Sequence, residues 1–310
     1  MRITRTLAAL AVVGFFSVGS THLLLVPGTS TAVALATATT PNVAVGPQYD
    51  TTHVYVAPDQ FDRFVASALA TFGGTTSKKV VTTVTPTPSS TFSQLILTPV
   101  GTISVFGFTT PIPYPFGAER TGYLVTDMNA ALSSARAAGA DVIVTPFDDP
   151  IGMDVIIQWP GGIDMQLYSH TTPPSYKPLE TIPENRVYVS PDRADAFIRS
   201  FLAFSHGKMI ADDRHASASD IGLPNDTFRR VRIESAFGKV TVLVTAARLP
   251  SPYRREITGY EVAKLGETIA KAKNAGVIVL VPPYESDQRQ AAMVQFPGGY
   301  IAEIHSPAHK

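Results

Sequence analysis

His53 is the residue in this chain best placed to do chemistry. It stands between Thr51 and Tyr55 in a short β-rich run, so strand alternation puts all three side chains on one face. An imidazole there suits a general base or a single metal ligand. A second cluster, Glu184, Arg186 and Tyr188, alternates in the same way. Glu303 and His305, two residues apart near the C-terminus, share a face of another strand-like run. An arginine and a glutamate brought together pair more readily than they react, because a buried charge is tolerable only when compensated. Cysteine is absent, which removes thiol catalysis, thiolate metal sites and disulfides. No phosphate-binding loop, dinucleotide fingerprint, His-Glu-x-x-His helix or Gly-x-Ser-x-Gly elbow occurs.

These residues sit in a sequence that repeats itself. Val54-Tyr55-Val56-Ala57-Pro58-Asp59 returns as Val187-Tyr188-Val189-Ser190-Pro191-Asp192, a shift of 133 positions (from 54 to 187). Thr121-Gly122-Tyr123 returns as Thr258-Gly259-Tyr260, and Gln158-Trp159-Pro160-Gly161-Gly162 as Gln295-Phe296-Pro297-Gly298-Gly299, both shifted by 137 (from 121 to 258, and from 158 to 295). One module has been duplicated. Expected boundaries are 50–170 for the first copy, 184–306 for the second, and a proline-rich linker at 171–183 between them.

Each module divides again. The first unit reads as a strand at 53–56, a helix capped by Asp59 with Phe61, Phe64, Val65, Ala68 and Leu69 on one face, then strands at 79–84, 94–98 and 102–108. The second reads as a strand at 121–125, a helix capped by Asp127 and stopped at Gly139, then strands at 141–144, 153–158 and 163–168. Tyr123 and Tyr260 fall on the face opposite His53's and are expected beneath the helices. The run 111–116, with three prolines, reads as a crossover or a lid, and Asp212-Asp213-Arg214-His215 as a solvated loop. Strand, helix and three strands, four times over, is an α+β pattern of mostly antiparallel sheets with helices on the outer face.

Composition sets the limits. Of 310 residues 45% are hydrophobic and 16% charged, which describes a folded chain rather than a disordered one. Lys+Arg and Asp+Glu are both 25, so no basic footprint for nucleic acid exists. Arg2 and Arg5, an apolar run over 7–18 and Ala36-Thr37-Ala38 form an export signal over 1–38, followed by a tether at 39–49. The apolar run is shorter than the about 20 residues a membrane span needs. The expected location is therefore periplasmic or secreted, with no membrane association after cleavage.

The run 122–127, the alanine-rich 135–140 and Pro160-Gly161-Gly162-Ile163-Asp164-Met165-Gln166-Leu167 resemble the vicinal oxygen chelate (VOC) superfamily of glyoxalases, bleomycin-resistance proteins and extradiol dioxygenases. The resemblance implies two tandem modules, each made of two βαβββ units that form a cup, with ligand or metal on the concave face. It also implies that metal ligands come from the first strand of each unit and the last strand of the second, commonly two His and one Glu. In the first module those positions offer His53, Arg120 and Gln166; in the second, Arg186 or Glu184, Ile257 and Glu303. Neither set is orthodox, and no cofactor is expected, although the residues do not exclude a divalent metal. The resemblance then assigns His53 as base or lone ligand, Arg120 as holder of an anionic group such as an enolate, and Gln166 as its hydrogen-bond partner. Thr51, Tyr55, Tyr168, Arg186, Glu303 and His305 would line the cups. It implies a glyoxalase-like protein acting on a small, anionic molecule, or a non-catalytic binder of the bleomycin-resistance type. Two modules in one chain make an obligatory partner subunit unnecessary.

Overall fold

The computed structural model describes residues 48–118, 120–246, 249–286 and 289–308; the expected export signal and most of the expected tether lie outside them. The first unit comprises β1 (Thr52–Tyr55), α1 (Phe61–Phe72), β2 (Thr75–Thr76), β3 (Val80–Thr82), β4 (Thr91–Thr98) and β5 (Gly101–Phe108). The second comprises β6 (Gly122–Leu124), α2 (Met128–Ala137), β7 (Asp141–Asp148), β8 (Gly152–Trp159) and β9 (Ile163–His170). The third comprises β10 (Glu184–Val189), α3 (Pro191–Ser205), β11 (Lys208–Ser217), β12 (Thr227–Ser235) and β13 (Gly238–Val244). The fourth comprises β14 (Glu256–Glu261), α4 (Leu265–Asn274), β15 (Ile278–Ser286), β16 (Arg289–Gln295) and β17 (Ile301–Pro307).

The two halves close differently. In the second, β10 pairs directly with β14 and all eight strands make one curled sheet. In the first, only the bridge Thr52↔Thr121 joins β1 to the β6 side, reinforced by His53 N–H donating to the Arg120 carbonyl at 3.0 Å. Within every unit the first strand runs parallel to the last, as in β6 beside β9 with Gly122 opposite Gln166; the other pairings are antiparallel.

Local differences from the sequence reading have physical causes. Asp59 does not cap α1: it lies in a 3-10 turn (Pro58–Gln60), and Gln60 occupies the cap with no side-chain bond. Asp127 does cap α2, accepting from the Ala130 N–H at 3.0 Å. The strand expected over 79–84 is the shorter β3, and a further two-residue strand, β2, precedes it; each pairs β4. β7 continues through Pro146, which an edge strand tolerates where the register slips between Val144 and Phe147. The mixed-charge run 212–215 is not a loop but part of edge strand β11, and the Arg229 guanidinium donates to Asp212 at 2.8 Å.

The helices do lie on the convex face of each cup, but that face is not open to water. Phe64 of α1 stacks edge-on to Phe296 of the second module at 5.9 Å, and Phe72 meets Tyr260 at 5.0 Å. Trp159 packs on Phe204 of α3 at 5.2 Å, and Tyr123 on Phe237 at 5.2 Å. One core joins the first and fourth units, another the second and third. Tyr123 and Tyr260 are buried in these cores, beneath the helices as their parity requires. The two concave faces are thereby turned away from these shared cores.

Candidate functional site

The first cup keeps a cavity of about 250 Å³. His53, Tyr55, Gln166 and Tyr168 all line it, as their strand parity predicts. His53 is buried, with Phe106 edge-on at 5.7 Å. Burial pushes the imidazole down to about 4; Asp50 opposes this and Arg120 adds to it. His53 is therefore neutral at physiological pH and available as a base. Gly122 explains how it fits. A Cβ at Gly122 would lie 2.8 Å from His53 Nε2, so the imidazole occupies the space a side chain on β6 would need. The Tyr168 hydroxyl, also buried, accepts from Asp50 N–H at 3.1 Å and donates to the Asp50 carbonyl at 2.9 Å.

Two expected residues are elsewhere. Thr51 is buried but does not reach this cavity. Arg120 stacks its guanidinium over the Tyr55 ring at 5.7 Å and lines a separate hollow of about 40 Å³ with Arg254, Glu256 and Tyr300. This corrects the expectation that Arg120 holds an anion beside His53. It precedes β6, which begins at Gly122, so its side chain leaves at the rim even though its parity is right. What sequence reasoning missed are the carboxylates Asp50, Asp149 and Asp154, which also line the cavity, and Tyr176, contributed by the linker.

The centre of the second cup is full, and the hollows that Glu184, Arg289 and His305 line lie toward its edge with Lys239 and Glu261. Tyr188, Ile257, Met293 and Ile301 pack inside it against the segment Ala218–Ile221 and Tyr253. Arg230 pairs with Asp220 beneath that plug. At the positions equivalent to His53, Gly122 and Gln166 stand Arg186, Gly259 and Glu303. Arg186 Nε lies 3.1 Å from Glu303 Oε2, and both side chains are fully buried. Arg186 Nη1 donates to Glu184 at 3.1 Å. Arg289 spans the same two carboxylates, at 3.0 Å from Glu184 and 3.3 Å from Glu303. His305 Nδ1 lies 3.2 Å from Glu303. Burial alone would raise Glu303, but Arg186 and then Arg289 more than offset it and hold the carboxyl at about 2. Arg186 and Glu303 are thus spent on one another rather than offered to a ligand, while His305 lines the hollows beside them.

A metal does not fit either set. The first cup presents one imidazole, a glycine and an amide; the second presents a guanidinium, a glycine and a carboxylate already held by two arginines. Among the described residues no three His, Asp or Glu side chains converge as ligands. Nor, among these residues, is any helix long and apolar enough to cross a membrane.

No family model and no curated protein matches the sequence. Solved structures do match the fold. A triple mutant of 4-hydroxymandelate synthase from Streptomyces coelicolor superposes with a TM-score of 0.59 at 13% identity, over 85% of this chain and 94% of that one. A 2,3-dioxygenase, LapB, from Pseudomonas sp. KL28 gives 0.52 at 12%, over 87% and 94%. An Mn(II)-bound glyoxalase from Novosphingobium aromaticivorans gives 0.51 at 13%, over 86% and 83%. With four βαβββ units closed into two cups back to back, this chain has the tandem-module fold of the vicinal oxygen chelate superfamily.

Proposed function

We infer that this protein binds a small organic molecule in the first cup, and that the second cup is structural. The observation that carries this is the contrast between the two concave faces. One encloses about 250 Å³ at its centre, lined by His53, Gln166 and Tyr168; the centre of the other is closed by a plug and an ion network, with hollows only toward its edge. The volume lies just under the about 300–1,000 Å³ of sites for drug-sized ligands, so the occupant is small. Proteins of this fold include the glyoxalase and the dioxygenase named above, which supports a small-molecule site here. A neutral, buried His53 supports proton abstraction from a bound ligand as a second reading, with Gln166 steadying the product. The residues at 1–38 support action outside the cytoplasm.

A ligand-observed NMR screen of neutral aromatic fragments tests the binding reading. Leu95 lines the cavity from β4, so Leu95→Trp should abolish binding of the hits without unfolding the chain. Hits that bind the variant as they bind the parent would refute the assignment to this cup.

A further inference from the structure

Resting on that reading, the geometry points to a protonated amine carried on an aromatic or other flat apolar body as the first cup's ligand, in place of the anion that the sequence suggests. The cavity's charges carry the argument. Among the described residues lining it, Asp50, Asp149 and Asp154 are acidic and Lys78 is the single cation. Asp154 is buried, whereas Lys78 is exposed at the mouth. The arginine that would attract an anion lines the neighbouring hollow instead.

The carboxylates are positioned rather than adrift. Asp50 Oδ2 accepts from the Ser104 hydroxyl at 2.6 Å, and Asp149 Oδ1 from the Ile151 N–H at 2.7 Å. Burial raises Asp149, the response of a carboxyl short of positive company. Burial also keeps His53 uncharged, so it adds no positive charge to offset these carboxylates.

The walls suit such a cation. Tyr55 and Phe106 form a tilted pair 5.3 Å apart, and Tyr168 packs against His170 at 5.3 Å. Aromatic faces attract an ammonium group through the ring quadrupole, most strongly where water is excluded. His170 adds an independent sign of a missing partner. Its Nε2 is buried and has no hydrogen-bond partner, while burial lowers its affinity for a proton. A neutral imidazole nitrogen in that position accepts from an N–H of the ligand. Rim residues Val80 and Ile151 are exposed apolar side chains that also line the cavity, which favours an apolar body behind the amine.

Three probes of one size and different charge decide it: benzylamine, benzyl alcohol and benzoate, titrated calorimetrically into the full chain at pH 7.5. The amine should bind at least tenfold more tightly than the alcohol, and benzoate should bind least. In Asp154→Asn and Asp149→Asn the amine-to-alcohol affinity ratio should fall toward one, and raising the salt should lower the ratio in the parent. Benzoate binding as tightly as the amine, or a ratio unchanged in both variants, overturns the assignment of charge but leaves cup binding standing. If none of the three binds, or if Leu95→Trp binds them all as the parent does, the cup reading falls as well.

Discussion

Replacing Arg186 by methionine strips one of two cations from a buried group of two carboxylates. In the parent, Glu184 and Glu303 share Arg186 and Arg289, and Arg186 and Glu303 have no exposed surface. After the substitution both carboxylates depend on Arg289, itself 12% exposed. One negative charge is left uncompensated in the interior, and breaking a buried pair from one side costs about 3–5 kcal/mol. Glu303→Gln leaves the group with one excess positive charge, and the cost falls in the same range. The double variant retains Arg289 with Glu184 at 3.0 Å and restores neutrality, so its cost should fall short of the sum by at least about 2 kcal/mol. Urea denaturation at pH 7 measures all four forms. Acid adds a check of sign. Glu303's carboxyl is held below its unfolded value, so its contribution is complete above about pH 4.5 and is lost as the pH falls toward about 2. Single-variant costs within about 0.5 kcal/mol of zero that simply add would refute the idea that these side chains interact.

Glu256 should behave in the opposite way. Burial raises it to about 7 against the Thr121 hydroxyl at 3.1 Å, so its stabilising form is present below about pH 4.5 and lost as the pH rises through 7; Glu256→Gln should flatten that dependence and be the more stable form at pH 8, by roughly 3 kcal/mol, in parallel melts. Gly122→Ala should displace His53 and weaken ligand binding, while the double variant with His53→Ala should recover stability; Gly259→Ala, whose Cβ would meet its nearest atom at 3.3 Å, should cost less. Elemental analysis after dialysis should find no stoichiometric transition metal, and a chelator should leave the melting temperature unchanged; one metal per chain lost on His53→Ala would overturn the donor analysis. N-terminal sequencing of protein from the envelope fraction should find a start near Thr39 rather than Met1.

Much of this architecture was legible because the chain states it twice. Parity placed His53, Gln166 and Tyr168 in the cup and Tyr123 and Tyr260 under the helices, and it foresaw the Arg186–Glu303 pair. Gly122 is itself a readable sign of where the imidazole goes. A glycine on the concave face, repeated at Gly259, marks a place where another group comes close. Two of the cavity's carboxylates, Asp50 and Asp149, were not legible. Asp149 comes from the turn between β7 and β8, and Asp50 precedes β1. Tyr176 comes from the linker, far from His53 in sequence. Such positions meet only when the sheets close, and no local periodicity records that.

The paired helices bear on how the chain comes together. The apolar complement of the first unit is the fourth, so Phe64 finds Phe296 only after more than two hundred intervening residues have been gathered in. Contacts of such long range make folding slow and discourage cutting the polypeptide at the linker, since either half alone would bare its aromatic seam to water. The second module is then a keystone. The centre of its own cup can be walled up at no expense to the half that keeps a central cavity, yet that half cannot stand once the keystone is drawn.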